Sequence, residues 1–98
     1  MLNQFSRTEL LIGKEALEIL NKCHVAIFGI GGVGGYVVEA LVRSGVQNID
    51  LIDNDTVSLT NINRQIIASH SSLGKFKVDV MKERILDINP KAKVNTYK

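Results

Sequence analysis

Two groups of residues in this chain have the types and spacing to do chemistry. The first is Gly29-Ile-Gly31-Gly32-Val-Gly34-Gly35. In a Gly-x-Gly-x-x-Gly run, Gly29 permits a tight turn and Gly31 lets the backbone approach a phosphate. Gly34 permits close packing of the following helix on the preceding strand. Gly32 removes one more side chain beside the same place. A helix opening here aims unpaired N–H groups and the positive end of its dipole at an anion. Asp53 follows about twenty residues later, where an acid accepts hydrogen bonds from ribose hydroxyls. These residues alone suit NAD, FAD and ATP equally. Their structural alternatives are a packing turn for the glycines and an N-cap or turn role for Asp53.

The second group is Thr60-Asn61-Ile-Asn63-Arg64-Gln65, followed by Gly74-Lys75-Phe-Lys77. Two amides, a guanidinium and an ammonium match the charge density of a triphosphate. Cations held there also stabilise the negative charge that develops as pyrophosphate leaves. A dehydrogenase has no use for such a cluster after its ribose acid, so this group points to ATP. The alternative is that Arg64 and Lys77 are solvated surface charges. Cys23 reads as a small core residue, Met81 as core, and Tyr36 as packing on the sheet. His24 and His70 have no partner at a useful spacing, and no metal-ligand pattern is present.

These residues need elements to hold them. Ser6 and Glu9 have the spacing of a capping box, opening a helix that stops at Gly13. A second helix spans about Lys14 to Asn21, with Leu17 and Leu20 on one side. Cys23 to Phe28 is an apolar run that reads as a buried parallel strand. Val33 to Ser44 has helical spacing through Val33, Val37, Ala40 and Leu41, and Gly45 ends it. Ile49 to Asp53 is a second strand, and residues 54–65 form a polar loop or short helix. A helix from about Lys75 to Ile88 carries Val78, Met81, Ile85 and Ile88, with Pro90 preventing its continuation. Lys93 to Lys98 begins a third strand.

The order predicts an α/β fold: a Rossmann-like parallel sheet with an N-terminal helical arm, reaching about three strands. The arm is residues 1–22, and residues 23–98 form the first half of an ATP-binding domain. Two crossover helices cannot cover both faces of a parallel sheet. The isolated chain is therefore expected to expose apolar surface and to be marginal alone or associated.

Bulk properties set outer bounds. The chain has 98 residues, 45% of them apolar, and a formal charge of +2. That composition is globular, and the charge does not by itself argue for nucleic acid. A single cysteine precludes an internal disulfide. The start, Met1 to Phe5, lacks the basic and then apolar pattern of a leader, and no apolar run is long enough to span a membrane. A cytoplasmic location is the expectation.

Four segments then occur in a telling order: Gly29-Ile-Gly-Gly-Val-Gly34, Leu51-Ile-Asp-Asn-Asp55, Thr60-Asn-Ile-Asn-Arg-Gln65 and Gly74-Lys-Phe-Lys-Val78. Together they resemble the adenylation domain of the ThiF/MoeB/HesA family, relatives of the ubiquitin-activating enzymes, over essentially the whole chain. The Phe5-Ser-Arg7 opening, the Thr60–Gln65 variant and the stretch from Met81 to Asp87-Ile-Asn-Pro90 are most similar to the branch that dehydrates threonylcarbamoyladenosine in tRNA.

The resemblance implies that Gly32 contacts nucleotide phosphates and Asp53 the ribose. It places Asn61, Asn63 and Arg64 in a phosphate-contacting segment and Lys77 on the triphosphate. Asp55 either joins the nucleotide or caps the next turn. Arg7 would reach the ATP of a second copy in a homodimer, and Gln4 stands where many relatives carry a basic residue. Arg64, Lys77 and Arg7 are thus the candidate catalytic groups. The implied cofactors are ATP and Mg2+. The magnesium aspartate, any zinc or catalytic cysteines and the acceptor-binding half are expected beyond residue 98, so the chain alone is expected to be inactive.

The implied reaction is ATP-dependent adenylation of a carboxylate, with tRNA as substrate. A second reading is activation of a ubiquitin-like sulfur-carrier protein, and a third, from another class, is an NAD-binding oxidoreductase.

Overall fold

A computed structural model describes residues 3–98; Met1 and Leu2, the start of the expected arm, lie outside it. The arm consists of α1 (Ser6–Ile12) and α2 (Lys14–Lys22). Gly13, at φ 90°, ends the first helix and donates its N–H to the Glu9 carbonyl.

The Ser6–Glu9 capping box does not form. The Ser6 hydroxyl accepts the Asn3 N–H at 2.7 Å, and Asn3 Oδ1 accepts the Phe5 N–H at 2.8 Å. These bonds close the turn that leads into α1, whose N-cap is Phe5 with no side-chain cap, because Asn3 draws the Ser6 hydroxyl into that turn. Gln4 Nε2 donates to the Ile88 carbonyl at 3.0 Å, tying the arm to the body.

Three parallel strands follow in spatial order: β1 (His24–Phe28), β2 (Asn48–Ile52) and β3 (Lys93–Tyr97). Val25 pairs with Ile49, and Ile49 with Val94, so each strand turns its apolar positions to the same face. Onto that face pack the crossover helices α3 (Val33–Ser44) and α4 (Lys77–Ile88). Val38, Val42, Ile49, Leu51, Val78, Met81 and Ile85 have no exposed surface. Each such side chain stabilises by roughly 1.5–3 kcal/mol relative to exposure.

Glu39 joins the two helices at the edge of this core. Its carboxylate receives Arg84 at 2.8 Å and Arg43 at 3.1 Å. Burial alone would raise the Glu39 carboxyl, but these guanidinium groups outweigh it and hold it below its ordinary value.

The opposite sheet face has no helix on it among the described residues. Phe28 is 80% exposed and Tyr97 52%, and Ala26, two residues before Phe28 on β1, is exposed as well. β1 is therefore not the fully buried strand expected from its composition; only Ile27 is buried in it. On the same open face Asp50 bonds Asn95 at 3.0 Å and His24 at 2.9 Å, and these hydrogen bonds lower its carboxyl.

The expected α3 stripe is also corrected. Gly35, Val38, Glu39 and Val42 face the core, while Val33, Val37 and Ala40 are exposed together with Tyr36, which does not pack on the sheet. A helix with two apolar stripes lets spacing alone choose either one; the covered side of the sheet decides. Cys23 precedes β1 with intermediate exposure rather than lying inside a buried strand. No helix among the described residues is long and apolar enough to cross a membrane.

Candidate nucleotide site

The glycine turn joins β1 to α3 and is fixed from both sides. The Gly29 N–H donates to the Ile52 carbonyl at 2.8 Å, and the Ile30 N–H donates to Asp53 Oδ2 at 2.8 Å. Ile30 is wholly buried beneath the turn. A Cβ at Gly34 would collide with the Gly29 carbonyl oxygen, so this close approach admits only glycine. Gly29 and Gly32 instead face open space, with φ of 91° and 55°. Gly32 is the N-cap of α3 and has no side chain to satisfy the helix N-terminus, which leaves that end to an anion.

The space beside Gly31 is not open. The terminal amide of Gln65 lies across it, with Nε2 at 2.8 Å and Oε1 at 3.1 Å from where a Cβ would be. Ile66 abuts Gly35 in the same way at 2.9 Å. The second motif is thus docked directly on the first, a contact that spacing along the chain does not reveal. Gln65 stood in the sequence motif without a role; its position next to Arg64 was the available signal.

Asp53 does two structural jobs from the end of β2. Beside its bond to Ile30, its Oδ1 accepts the Asp55 N–H at 2.8 Å. Asp55 then accepts the Lys77 N–H on its carbonyl at 3.0 Å. Residues 55–57 run antiparallel to 74–77 through the Thr56–Phe76 bridge and the Val57–Lys75 and Gly74–Val57 hydrogen bonds. This small ladder sets the start of α4 at Lys77, two residues later than its apolar spacing suggests.

Lys77 is 6% exposed. Its ammonium lies 4.0 Å from an Asp55 carboxylate oxygen, beyond hydrogen-bond distance, and makes no hydrogen bond among the described residues. A cation so nearly enclosed and so loosely paired is costly unless an anion joins it.

Arg64 is exposed, and its Nη1 donates to the Thr60 carbonyl and to Asn63 Oδ1, both at 2.9 Å. It has no carboxylate partner among the described residues. Asn63 thereby orients the guanidinium. Asn61 is buried, and its Oδ1 caps the turn by accepting the Ser58 N–H at 2.9 Å and the Ser58 hydroxyl at 3.0 Å. Only its NH2 is left to reach a ligand.

An open cleft of about 480 Å³ lies at the carboxyl ends of the strands, lined by Gly29, Ile52, Asp53, Asn54, Asp55 and Lys98. Open α/β sheets bind their ligands at this end. The structure brings Gly29, Asp53, Asp55 and Lys77 together through the contacts above, and ties Gln65, beside Arg64, to the turn. Arg7 is not among them: it is exposed on α1, which packs on α2. No group of three or more His, Cys, Asp or Glu that could hold a metal ion is assembled among the described residues.

The ThiF family model matches residues 5–98. The tRNA threonylcarbamoyladenosine dehydratase of Bacillus subtilis is 56% identical over all 98 residues, which span 39% of that protein. The enzyme of the same name from Escherichia coli is 46% identical over 93% of this chain and 34% of its own length. Crystal structures of the E. coli dehydratase in complex with ATP and with AMP superpose with a TM-score of 0.93 at 45% identity, covering 95% of this chain and 38% of theirs. The chain spans well under half the length of these relatives. On the match over residues 5–98, the chain belongs to the ThiF family.

Proposed function

We propose that the protein to which this chain belongs adenylates a carboxylate with ATP, and that the carboxylate is that of threonylcarbamoyladenosine in tRNA. The observation that carries the ATP assignment is Lys77: an ammonium almost enclosed, 4.0 Å from one carboxylate, on a strip tied through Asp53 to the glycine turn. A triphosphate supplies the missing anion. NAD, whose pyrophosphate needs only the turn, leaves Lys77 and Arg64 without a partner. The choice of acceptor rests on the relatives at 56% and 46% identity that carry the dehydratase name.

In this reading the helix N-terminus at Gly32 receives the phosphates and Asp53 accepts from the ribose with the lone pairs its backbone contacts leave free. Asn61, Asn63 and Asp55 shape the surrounding loop. The substrate carboxylate attacks the α-phosphorus, forming a C–O–P linkage as the bond to pyrophosphate breaks. Lys77 and Arg64 stabilise the charge that gathers on pyrophosphate, and Arg7 of a second copy completes the set in a homodimer. A nucleophile within the same threonylcarbamoyl group then attacks the activated carbonyl and AMP leaves, a net dehydration. Mg2+ would accompany the triphosphate and offset part of its charge. A cytoplasmic location fits such a substrate.

The test is the full-length protein with ATP and tRNA carrying threonylcarbamoyladenosine, read by mass spectrometry of the nucleosides. Cyclised product with AMP and pyrophosphate is expected, and Lys77→Ala and Arg64→Ala each lose most of it. Activity with a ubiquitin-like carrier C-terminus in place of the tRNA would transfer the acceptor assignment to the sulfur-carrier branch and leave the ATP site standing.

A further inference from the structure

The amide of Gln65 has a property that a mere packing group does not need. Gln65 is 9% exposed, and its Oε1 is buried with no hydrogen-bond partner. Nε2 is not among the buried unpaired atoms; it keeps an edge on solvent and donates to no acceptor among the described residues. The amide therefore lies over Gly31 with Nε2 nearest the turn and Oε1 buried. An unpaired buried carbonyl costs about 1–3 kcal/mol, a cost a methionine or leucine of similar volume would avoid.

The donor edge emerges at the glycine turn, beside the one part of the chain whose open glycines and uncapped helix N-terminus invite phosphate. Turning the amide over would bury two donors and present an oxygen to an anion, so the outward orientation of Nε2 is the one compatible with phosphate.

We propose that Gln65 is a further nucleotide-binding residue, whose Nε2–H donates to a phosphate oxygen held at the Gly31–Gly32 turn. This rests on the ATP reading above and deepens it. The same residue then does two things: its bulk over Gly31 sets the height of the turn, and its donor adds to the free N–H groups of α3. Because Gln65 directly follows Arg64, the phosphate contact also fixes where the guanidinium begins. Phosphate binding at the turn and charge stabilisation by Arg64 are thereby mechanically joined, through a side chain rather than through the sheet.

The experiment measures the Kd of ATP and of a non-hydrolysable ATP analogue by calorimetry, on the full-length protein and on Gln65→Met and Gln65→Glu, together with each protein's melting temperature without nucleotide. Gln65→Met keeps the volume and removes the donor. It is expected to melt at or above the parent and to bind ATP about tenfold more weakly, the usual value of a hydrogen bond to a charged group. Gln65→Glu places a like charge beside the phosphates and is expected to weaken binding by about a hundredfold at pH 8. That loss shrinks as the pH is lowered towards 5 and the introduced carboxyl gains a proton it can donate, while the parent changes little.

Unchanged Kd within twofold in both variants, with only the melting temperature lowered, would overturn the proposal and leave Gln65 as a plug under the turn. Loss of fold in both variants has the same meaning. Failure of the parent to bind ATP would instead remove the ATP reading itself, which separates the two claims.

Discussion

The glycine turn and the loop segment from Asn61 to Lys77 are docked on each other through Gln65 and Gly31, yet they are built on different principles. In the turn the groups that set the backbone are satisfied by the protein, while the helix N-terminus at Gly32 is left open. Gly29 bonds Ile52, Ile30 bonds Asp53, and Gly34 lies against the Gly29 carbonyl with no room for a side chain. In the loop the important groups are left wanting. Lys77 is enclosed with a carboxylate only at 4.0 Å, Arg64 bonds neutral oxygens of its own loop, and the Gln65 carbonyl is buried unpaired. The satisfied region identifies the fold, because it is what any phosphate-binding strand–turn–helix must look like. The unsatisfied region identifies the ligand, because the Lys77 and Arg64 cations lack the anion that a triphosphate supplies.

The contrast predicts that substitutions in the two regions fail in different ways. The largest effect is expected for Gly34→Ala. Its Cβ has no space against the Gly29 backbone, so the variant should lose more than about 3 kcal/mol of stability, seen as a collapse of the thermal or urea transition. A variant that melts like the parent would show the turn to be looser than described.

Lys77→Met should behave in the opposite sense. Removing a poorly paired buried cation relieves desolvation, so the protein without nucleotide should be as stable as the parent or slightly more so. Its adenylation rate should fall by about 10²–10³-fold. A stability loss of the kind expected for Gly34→Ala would mean that Lys77 is structural.

Arg64→Ala should be smaller still on the fold, within about 0.5 kcal/mol, since the side chain is exposed and bonds only its own loop. ATP turnover should drop by at least about tenfold, measured as pyrophosphate release.

The smallest effect lies outside both regions and serves as a control. Glu39 is held below its ordinary value of 4.5 by Arg84 and Arg43, so its contribution is complete above pH 4.5 and is lost as the pH falls through the lower folded value. Both guanidinium groups reach solvent, at 60% and 40% exposure, which limits that contribution to about 1 kcal/mol. Denaturant titrations from pH 7 to pH 3 should show the parent losing this increment and Glu39→Gln lacking it throughout, with ATP affinity at pH 7 unchanged.

How much of this was legible before the structure follows the same division. The strand–turn–helix, the order of elements and the Val78–Met81–Ile85 stripe are local patterns, and they fold as their spacing says. The Ser6 cap and the α3 stripe were misplaced because each sequence offered two equivalent solutions. Asn3 drew the Ser6 hydroxyl into the preceding turn, and the covered face of the sheet picked Val38 and Val42 over Val33 and Val37. Lys77 and Arg64 were legible as charge types. The burial of Lys77 was not, since it depends on a ladder between residues 55–57 and 74–77. Gln65 on Gly31 was hidden for the same reason: contacts between segments far apart in sequence leave no period to read.

The central claim is that the unsatisfied cations select a triphosphate. Titrating the full-length protein and its Lys77→Met variant with ATP and with NAD by calorimetry tests it most directly. ATP should bind the parent with NAD giving no measurable heat, and Lys77→Met should lose ATP binding by at least about a hundredfold while remaining folded. NAD binding as tight as ATP, or ATP binding indifferent to Lys77→Met, would contradict it.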